Sequence, residues 1–179
     1  TAGVKILEWL RWDGNLVASR NKILNYHQYI DLYDDQDNWN WVGQDSVVGT
    51  TTIAFSPTIT AASLFTFNVA GFMATVQTNV VGKQYLDNTA CEARSLPRYS
   101  TTAIRLSYTQ KLKKNNARMK QVVFGVDFNN IFNRHFAQSG WVYSSVVPDY
   151  GFTEDNRYYQ IGYNPSAGFN VMGHVTVSF

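Results

Sequence analysis

The sequence predicts an all-β fold made of long antiparallel strands. Apolar residues alternate with other residues at a period of two in six segments, and no segment has the period of a helix. The segments are long compared with the strands of soluble domains, which average about 5–6 residues. Charged residues form only 16% of the 179 residues, whereas aromatic residues form 15%. This composition favours strands that each have one face in apolar surroundings and the other face in polar surroundings.

Alternation defines each strand in turn, because successive side chains of a strand point to opposite faces. Pro57 lies inside the second segment and predicts a bulge or bend there. The last segment shows the pattern most clearly, with apolar residues at the odd positions from Ala167 to Phe179. The six predicted strands are about 9–31, with Leu10, Trp12, Leu16 and Ala18 on one face; 49–67, with Ile53, Phe55, Ile59 and Phe65; 72–86, with Phe72, Ala74 and Val76; 98–110, with Ile104, Leu106 and Tyr108; 120–132, with Val122, Phe124, Val126 and Phe128; and 162–179.

The connections between these strands differ in length. Segments 32–48, 87–97 and 133–161 read as long loops, whereas 68–71 and 111–119 read as shorter turns. In a meander of antiparallel strands, this arrangement places the long loops on one rim and the short turns on the other.

Several protein classes are excluded by composition. The longest apolar runs have three residues, such as 122–124, whereas a membrane-spanning helix needs roughly 20. The single cysteine, Cys91, excludes a disulfide-built domain, and a net charge of +2 does not suggest a partner nucleic acid. Paired carboxylates, phosphate-binding glycines and zinc-ligand spacings are absent from the sequence, so we expect neither an enzyme nor a bound cofactor.

Alternation fits either a soluble β-sandwich or a transmembrane β-barrel. Strand length and the two kinds of connection favour the barrel, and so do aromatic residues near both ends of the strands. Six strands are too few to close, because the smallest outer-membrane barrels have about 8 and open edges are costly in lipid. We therefore expect a part of a larger assembly. The aromatic residues expected at the short-turn rim are Trp9, Trp12, Phe67, Phe72 and Tyr108, and those at the other rim are Tyr26, Tyr29, Tyr85, Tyr99, Phe132 and Tyr163.

Three motifs carry a resemblance to a known family. Segment 80–89 (VVGKQYLDNT) resembles a signature of TonB-dependent outer-membrane receptors, especially those of Bacteroidetes-type bacteria. Segment 19–23 (SRNKI) and segment 126–133 (VDFNNIFN), which is followed by 140–143 (GWVY), are similar to other parts of that family. The terminal Phe179 resembles the signal by which the barrel assembly machinery recognises its clients.

The resemblance implies a location, partners and a function. Family barrels have about 22 strands and a plugged lumen, so residues 1–179 look like the last six strands or so, without a plug or TonB box in this sequence. The implied place is the cell outer membrane, and the implied partners are its lipid, the remaining strands and plug, the barrel assembly machinery and the TonB–ExbB–ExbD system. The implied function is energised import of a siderophore, haem, cobalamin or an oligosaccharide. The alternatives are a passive pore or structural barrel, and a soluble all-β carbohydrate-binding module.

Aromatic and acidic residues in the predicted long loops are the candidates for ligand contact. They are Asp34, Asp37, Trp39 and Trp41 in the first long loop and Trp141 and Tyr143 in the last. Rings on adaptable loops suit recognition, although the same residues could pack loops into a cap. The first loop lacks the Gly and the terminal Glu of a calcium-binding EF-hand. Polar residues expected to line the lumen against the plug are Arg11, Asp13, Gln77, Arg105, Asp127 and Asn170.

Other reactive side chains are scattered. His27, His135 and His174 lie far apart in the predicted map, and no metal-ligand spacing connects them. Cys91 has no candidate base near it in sequence. The basic turn holds Lys111, Lys113, Lys114, Arg118 and Lys120, which are expected either to be solvated or to meet anionic lipid headgroups.

Overall fold

The computed structural model describes residues 1–34, 40–112, 120–146 and 157–179. The predicted all-β class is confirmed, because these residues form thirteen strands and a single short 3-10 helix, Glu92–Arg94. The strands are β1 (Ala2–Leu7), β2 (Leu10–Ala18), β3 (Lys22–Asp34), β4 (Asn40–Thr52), β5 (Ile59–Val69), β6 (Phe72–Val81), β7 (Gln84–Tyr85), β8 (Ser95–Leu96), β9 (Tyr99–Lys111), β10 (Gln121–Asn129), β11 (Ala137–Val146), β12 (Arg157–Pro165) and β13 (Asn170–Ser178).

The main sheet is an open antiparallel sheet of seven strands in the order β1-β2-β5-β6-β9-β10-β13. Among the described residues, its two edge strands do not pair with each other, so the sheet is not a closed barrel. The six predicted strands correspond to β2, β5, β6, β9, β10 and β13. Strand β1 was not predicted, because its short apolar pattern, Val4 and Ile6, repeats only once. A four-stranded sheet, β12-β11-β3-β4, and a two-stranded pair, β7-β8, complete the fold.

Several predicted boundaries are wrong. Segment 9–31 is two strands in different sheets, interrupted at 19–21, and segment 162–179 likewise contains the end of β12 and all of β13. The predicted strand 49–67 is also interrupted between Thr52 and Ile59, whereas the sequence predicts only a bend at Pro57 within one continuous strand. Segments 32–48 and 133–161 are not simply loops, because strands β3, β4, β11 and β12 occupy much of them. Alternation continues across these breaks and therefore conceals them.

The predicted difference between the two ends of the sheet is confirmed. Strands β5 and β6 are joined by the two residues Ala70 and Gly71, whose φ angles of 50° and 85° fit a type I′ turn. At the opposite end, the chain makes three long excursions: the β3–β4 hairpin, segment 82–98 and the β11–β12 hairpin. Trp9 and Phe67 stack at the short-turn rim with ring centroids 6.1 Å apart.

The seven-stranded sheet separates apolar from polar side chains. Register aligns one apolar residue from every strand in a continuous row: Val4, Trp12, Phe65, Val76, Ile104, Phe128 and Val171. The neighbouring row on the other face is Lys5, Arg11, Thr66, Thr75, Arg105, Asp127 and Met172. All six residues predicted to line a lumen lie on this polar face.

Buried apolar side chains lie outside the seven-stranded sheet. Among the described residues they are Ile30, Leu86, Leu96 and Val146, where segment 82–98 meets the four-stranded sheet. The chain exposes 12119 Å² of surface, whereas a compact monomer of 20.3 kDa would expose roughly 8,800 Å². Large apolar side chains of the seven-stranded sheet are exposed, among them Val4, Phe124 and Val175, so the described part of the chain leaves its apolar face uncovered.

Candidate ligand-binding face

The four-stranded sheet gathers the candidate ligand residues. Strands β3 and β4 form an antiparallel hairpin, and so do β11 and β12. The two hairpins join through a short parallel contact, in which Ser145 pairs with Asp31 and Val146 pairs with Leu32. Residues far apart in sequence thereby come to share one sheet.

One face of this sheet, which we call the aromatic face, carries exposed rings and polar groups. Register and hydrogen bonds place on it Tyr29, Asp31 and Tyr33 of β3, Trp41 and Gln44 of β4, Trp141 and Tyr143 of β11, and Tyr158 and Gln160 of β12. Three of the predicted candidates, Trp41, Trp141 and Tyr143, are among them, with exposed fractions of 58%, 49% and 45%. They lie on strands, whereas loops were predicted.

The other candidates are described in part or not at all. Asp34 is the last residue of β3, but its side chain lies outside the described part of the structure. Asp37 and Trp39 also lie outside the described residues. The predicted grouping of acids with indoles is therefore represented on the aromatic face by a different acid, Asp31.

Asp31 is held between two donors from the neighbouring strand. The indole Nε1 of Trp41 donates to Asp31 Oδ1 at 3.1 Å, and the amide Nε2 of Gln44 donates to the same oxygen at 3.2 Å. A local irregularity in the pairing, between Leu32 and Tyr33, brings Trp41 to the same face as Gln44.

Tyr33 and Tyr143 connect the two hairpins across the aromatic face. The nearby Tyr143 hydroxyl is the main reason that the pKa of Tyr33 lies above its usual 10.0. A tyrosine hydroxyl can donate as well as accept. The contact fixes the β11–β12 hairpin against β3 on the aromatic face.

Trp141 lies over a glycine of the adjacent strand. It pairs with Gly162 of β12, and a methyl group placed on Gly162 would overlap the indole ring. The backbone of Gly162 therefore covers one side of the indole, while about half of Trp141 remains exposed. A glycine at this position orients an exposed ring without a surrounding core.

The opposite face of the four-stranded sheet is covered by segment 82–98. Arg94 is buried there, donates to Asp87 Oδ2 at 2.7 Å and to Thr89 Oγ1 at 2.9 Å, and lies 3.8 Å from the centroid of the Tyr159 ring. Leu86 N donates to the Arg94 carbonyl at 2.8 Å. These contacts attach the segment to β12 and support the aromatic face from behind.

An exposed ion pair closes the start of the same segment. Lys83 Nζ contacts both carboxylate oxygens of Glu92, at 2.5 and 2.6 Å, and the Tyr85 hydroxyl donates to Glu92 at 2.9 Å. The hydrogen bond from Lys83 is the main cause that holds the pKa of Glu92 below its usual 4.5.

A second polar cluster lies on the polar face of the seven-stranded sheet. Asp127 is 3.8 Å from Arg105 Nε and 3.9 Å from His174 Nδ1. The His174 ring lies over Gly125, its direct cross-strand partner, and a methyl group there would overlap it. Arg105 and Asp127, two of the six residues predicted to line a lumen, are thus brought together, and His174 joins them.

The turn after β10 contains the end of segment 126–133, one of the motifs that carry the resemblance. Asn130 is buried with a φ of 49°, and its side chain bonds to Arg134 N and to the carbonyls of Arg134 and Ala167. Asn133, with a φ of 48°, accepts from Phe169 N at 2.9 Å. These two residues fix the turn that leaves β10 against the start of β13.

The remaining candidates carry no site in the described residues. No group of three or more His, Cys, Asp or Glu side chains that could hold a metal ion occurs in the described ranges. Cys91 is half-buried and free, and Phe179 follows β13 with 74% of its surface exposed. Lys113, Lys114 and Arg118 lie outside the described residues.

Within the described ranges, no helix has the length and apolar character needed to cross a membrane.

Sequence reasoning did not identify four residues of the aromatic face as candidates for ligand contact: Tyr29, Asp31, Gln44 and Gln160. Tyr29 is instead expected at a rim, whereas Tyr33 and Tyr158 lie in the predicted long loops 32–48 and 133–161. A signal for the first two is present, because Tyr29 and Asp31 alternate with Ile30 and Leu32.

Comparison of the chain with protein-family models, with curated proteins and with solved structures found no significant match.

Proposed function

We propose that the chain forms part of the wall of an outer-membrane β-barrel receptor that imports a scarce ligand with energy from the TonB system. The observation that carries the proposal is the two-faced seven-stranded sheet, with one apolar residue from every strand aligned in an uncovered row. A soluble sheet of this breadth would normally bury that face against a second layer. A lipid bilayer provides the same apolar surroundings without a second layer.

Strand dimensions support this proposal. Strands β5, β6, β9, β10 and β13 contain 11, 10, 13, 9 and 9 residues. Ten residues extend about 34 Å, and a tilt of about 45° reduces their span to about 24 Å. This length matches the apolar band of outer-membrane barrels, which is about 25 Å tall.

The two edges of the sheet also support it. In the described part of the chain, β1 and β13 each have a single neighbour in the seven-stranded sheet. Unpaired backbone groups in lipid cost several kcal/mol each. The proposed barrel satisfies these groups by pairing both edges with strands outside residues 1–179.

The import function rests on the resemblance and on the polar face. On the polar face, Arg11, Arg105 and Asp127 would face a plug in the lumen. Residues 82–89 of the motif that carries the resemblance belong to segment 82–98, which packs against the four-stranded sheet. A passive pore would use the same wall without TonB.

Membrane insertion is tested with the full-length protein in Gram-negative cells. We expect the protein in the outer-membrane fraction, extractable only with detergent, with a gel mobility that changes on boiling. Release into buffer without detergent would contradict the proposal.

A pair of neighbouring residues tests which face meets lipid. Ile104 lies in the apolar row, whereas Ala103 points to the polar face. An arginine at the bilayer midplane costs about 2–4 kcal/mol on the lipid side, so Ile104→Arg should reduce assembly sharply and Ala103→Arg should not. Equal effects of the two substitutions would contradict the orientation.

Energy coupling is tested separately. Cells that depend on this protein for growth on a siderophore, haem, cobalamin or an oligosaccharide should lose that growth when TonB is deleted. Growth that is indifferent to TonB would favour the passive pore.

A further inference from the structure

We propose that the apolar face of the seven-stranded sheet holds a binding groove for one anionic phospholipid, with Gly173 beneath an acyl chain and Lys120 at the headgroup. This inference rests on the proposed function, because it takes the apolar face to lie in the outer membrane. It adds a defined, saturable site to a wall that the bilayer would otherwise only surround. The shape of the groove, the polarity along the face and the charge at its end carry the inference.

A groove of about 490 Å³ opens on the apolar face where β9, β10 and β13 lie side by side. Its volume is within the range of about 300–1,000 Å³ that is usual for small-molecule sites. Its lining is mostly apolar, so a hydrocarbon chain is a complementary occupant. Most of the lining residues belong to two neighbouring rows of the register: Phe72, Tyr108, Phe124 and Val175 form one row, and Leu106, Val126 and Gly173 belong to the next.

Gly173 leaves space open in this groove. It pairs with Val126 inside β13, and a methyl group placed on it would approach no atom closer than 3.9 Å. Packing in the described part of the chain therefore does not require a glycine here. A glycine inside a strand weakens the strand, and such glycines often lie where a ligand approaches closely. Phe124 and Val175 stand beside the open space with exposed fractions of 51% and 61%.

Polarity increases along the same face from the groove towards the short-turn rim. The hydroxyl of Tyr108, at the groove, donates to Gln110 Oε1 at 3.1 Å, one step nearer the rim. Gln110 pairs with Val122. The pairing continues to the rim, because Leu112 N donates to the Lys120 carbonyl at 3.1 Å. This order of apolar groove, phenol, amide and ammonium matches an amphiphile with a hydrocarbon chain and an anionic headgroup.

The depth of the groove fits one leaflet of a bilayer. Val126, at the groove, lies six residues along the chain from Lys120. Six residues extend about 20 Å, and a strand tilt of about 45° reduces this length to a depth of about 14 Å. The hydrocarbon core is about 30 Å thick, so one leaflet contributes about 15 Å. A lipid whose phosphate contacts Lys120 would therefore extend its acyl chains as far as the groove.

The charge at the rim favours an anionic headgroup. Residues 111–120 contain five Lys or Arg residues and neither Asp nor Glu. Among those that the structure describes, Lys120 lies on the apolar face with Val122, whereas Lys111 pairs with Gln121 and lies on the polar face. Basic segments beside a membrane attract anionic lipids, and a lysine stem can lie along apolar surface while its ammonium reaches the headgroups. Short turns of outer-membrane barrels are periplasmic, so the ligand is a phospholipid of the periplasmic leaflet.

Native mass spectrometry of the full-length protein in detergent tests the proposal. The probes are anionic phosphatidylglycerol and zwitterionic phosphatidylethanolamine with the same acyl chains. We expect one molecule of phosphatidylglycerol to bind saturably, and phosphatidylethanolamine to bind about fivefold more weakly or less tightly still, because it has no net charge to match the lysine. Lipopolysaccharide is the probe for the opposite leaflet.

Two substitutions in β13 separate the groove from the rest of the apolar face. Gly173→Leu fills open space, so the protein should still assemble, and binding of phosphatidylglycerol should weaken roughly tenfold, as expected when about ten atom–atom contacts of an acyl chain are lost. Val171→Phe is the matched control. It adds a comparable apolar volume to the same face of the same strand but lies outside the groove, so binding should be unchanged.

Two substitutions at the rim separate the headgroup contact from the general charge of the turn. Lys120→Gln should weaken phosphatidylglycerol binding about fivefold, which corresponds to the loss of one lysine near an anionic lipid surface. It should leave phosphatidylethanolamine binding nearly unchanged. Lys111→Gln removes the same charge from the polar face and should have a smaller effect.

Each outcome decides the proposal. Weaker binding in Gly173→Leu than in Val171→Phe, together with a larger effect of Lys120→Gln than of Lys111→Gln, would support it. Equal effects within either pair, equal binding of the two phospholipids, or tighter binding of lipopolysaccharide would overturn it. A protein that still changes gel mobility on boiling but retains no phospholipid would refute the groove and leave the proposed membrane receptor standing, whereas a protein released without detergent would refute both.

Discussion

Replacing Arg94 with methionine removes the cation that attaches segment 82–98 to the four-stranded sheet. The side chains of Arg94 and Asp87 are 6% and 15% exposed, and their atoms approach to 2.7 Å. Methionine preserves much of the apolar volume but leaves the Asp87 carboxylate without its partner. It also removes the contact with the Tyr159 ring.

The structure sets the expected size of this effect. Breaking a buried ion pair by removing one partner costs about 3–5 kcal/mol. Asp87 keeps two donors, the backbone N and the hydroxyl of Thr89, so we expect the lower value, about 3 kcal/mol. Since about 1.4 kcal/mol corresponds to a factor of ten, local opening should become roughly 10²-fold more frequent.

Hydrogen exchange followed by mass spectrometry of the full-length protein in detergent measures this opening. Amides of segment 84–96 and of β12 should exchange roughly 10²-fold faster in Arg94→Met, while those of β5 and β6 should be unchanged. Lys83→Met is the matched control, because it breaks an exposed pair of the same segment and should have a much smaller effect. Exchange in Arg94→Met no faster than in this control would refute the reasoning.

Three further perturbations test the turns and the exposed ion pair. Gly71→Ala should destabilise the β5–β6 hairpin by about 1–2 kcal/mol, because an L side chain is strained at a φ of 85°. Ala70→Asn should be neutral or stabilising, since asparagine favours type I′ turns. Urea titration of gel mobility measures the stability of both variants, and equal effects would contradict the turn assignment. Asn130→Ala should cost about 2–4 kcal/mol through its three hydrogen bonds and positive φ, with Asn130→Gly recovering only the backbone part in the same titration. The pKa of Glu92 is lowered from 4.5 in the folded protein, so the stabilisation from the Lys83–Glu92 ion pair is present above pH 4.5 and is lost as the pH falls through the folded pKa. Proteolytic cleavage of segment 82–96 in the wild type should therefore rise below pH 4.5. An identical rise in Lys83→Met would contradict this.

Most strands of the seven-stranded sheet could be predicted from the sequence. Alternation is strong there because each strand has one apolar and one polar face, and the register aligns these faces from β1 to β13. The same regularity conceals breaks: residues 19–21 interrupt a pattern that continues from β2 into β3 without a change of period. Alternation alone therefore does not reveal where the chain leaves one sheet and enters another.

The four-stranded sheet could not be predicted in the same way. Segment 31–46 is rich in Asp, Asn and Gln, which are typical of loops, yet its described residues 31–34 and 40–46 belong to the paired strands β3 and β4. The predicted candidates Trp41, Trp141 and Tyr143 come from distant segments, and only the contact between β3 and β11 brings them to one face. The position of Trp141 over Gly162 depends on register, which a single sequence does not provide.

Glycines beneath rings have a consequence for the substitutions that each surface tolerates. Rings lie over glycines at three places: Trp12 over Gly14, His174 over Gly125 and Trp141 over Gly162. Each ring is partly or largely exposed, so its exposure alone would suggest that neighbouring positions tolerate most substitutions. A side chain at the glycine beneath would nevertheless overlap the ring. Substitutions should therefore be most damaging at these glycines, although they have no side chain that makes a contact. In both the seven-stranded and the four-stranded sheet, glycines thus set the direction of large side chains.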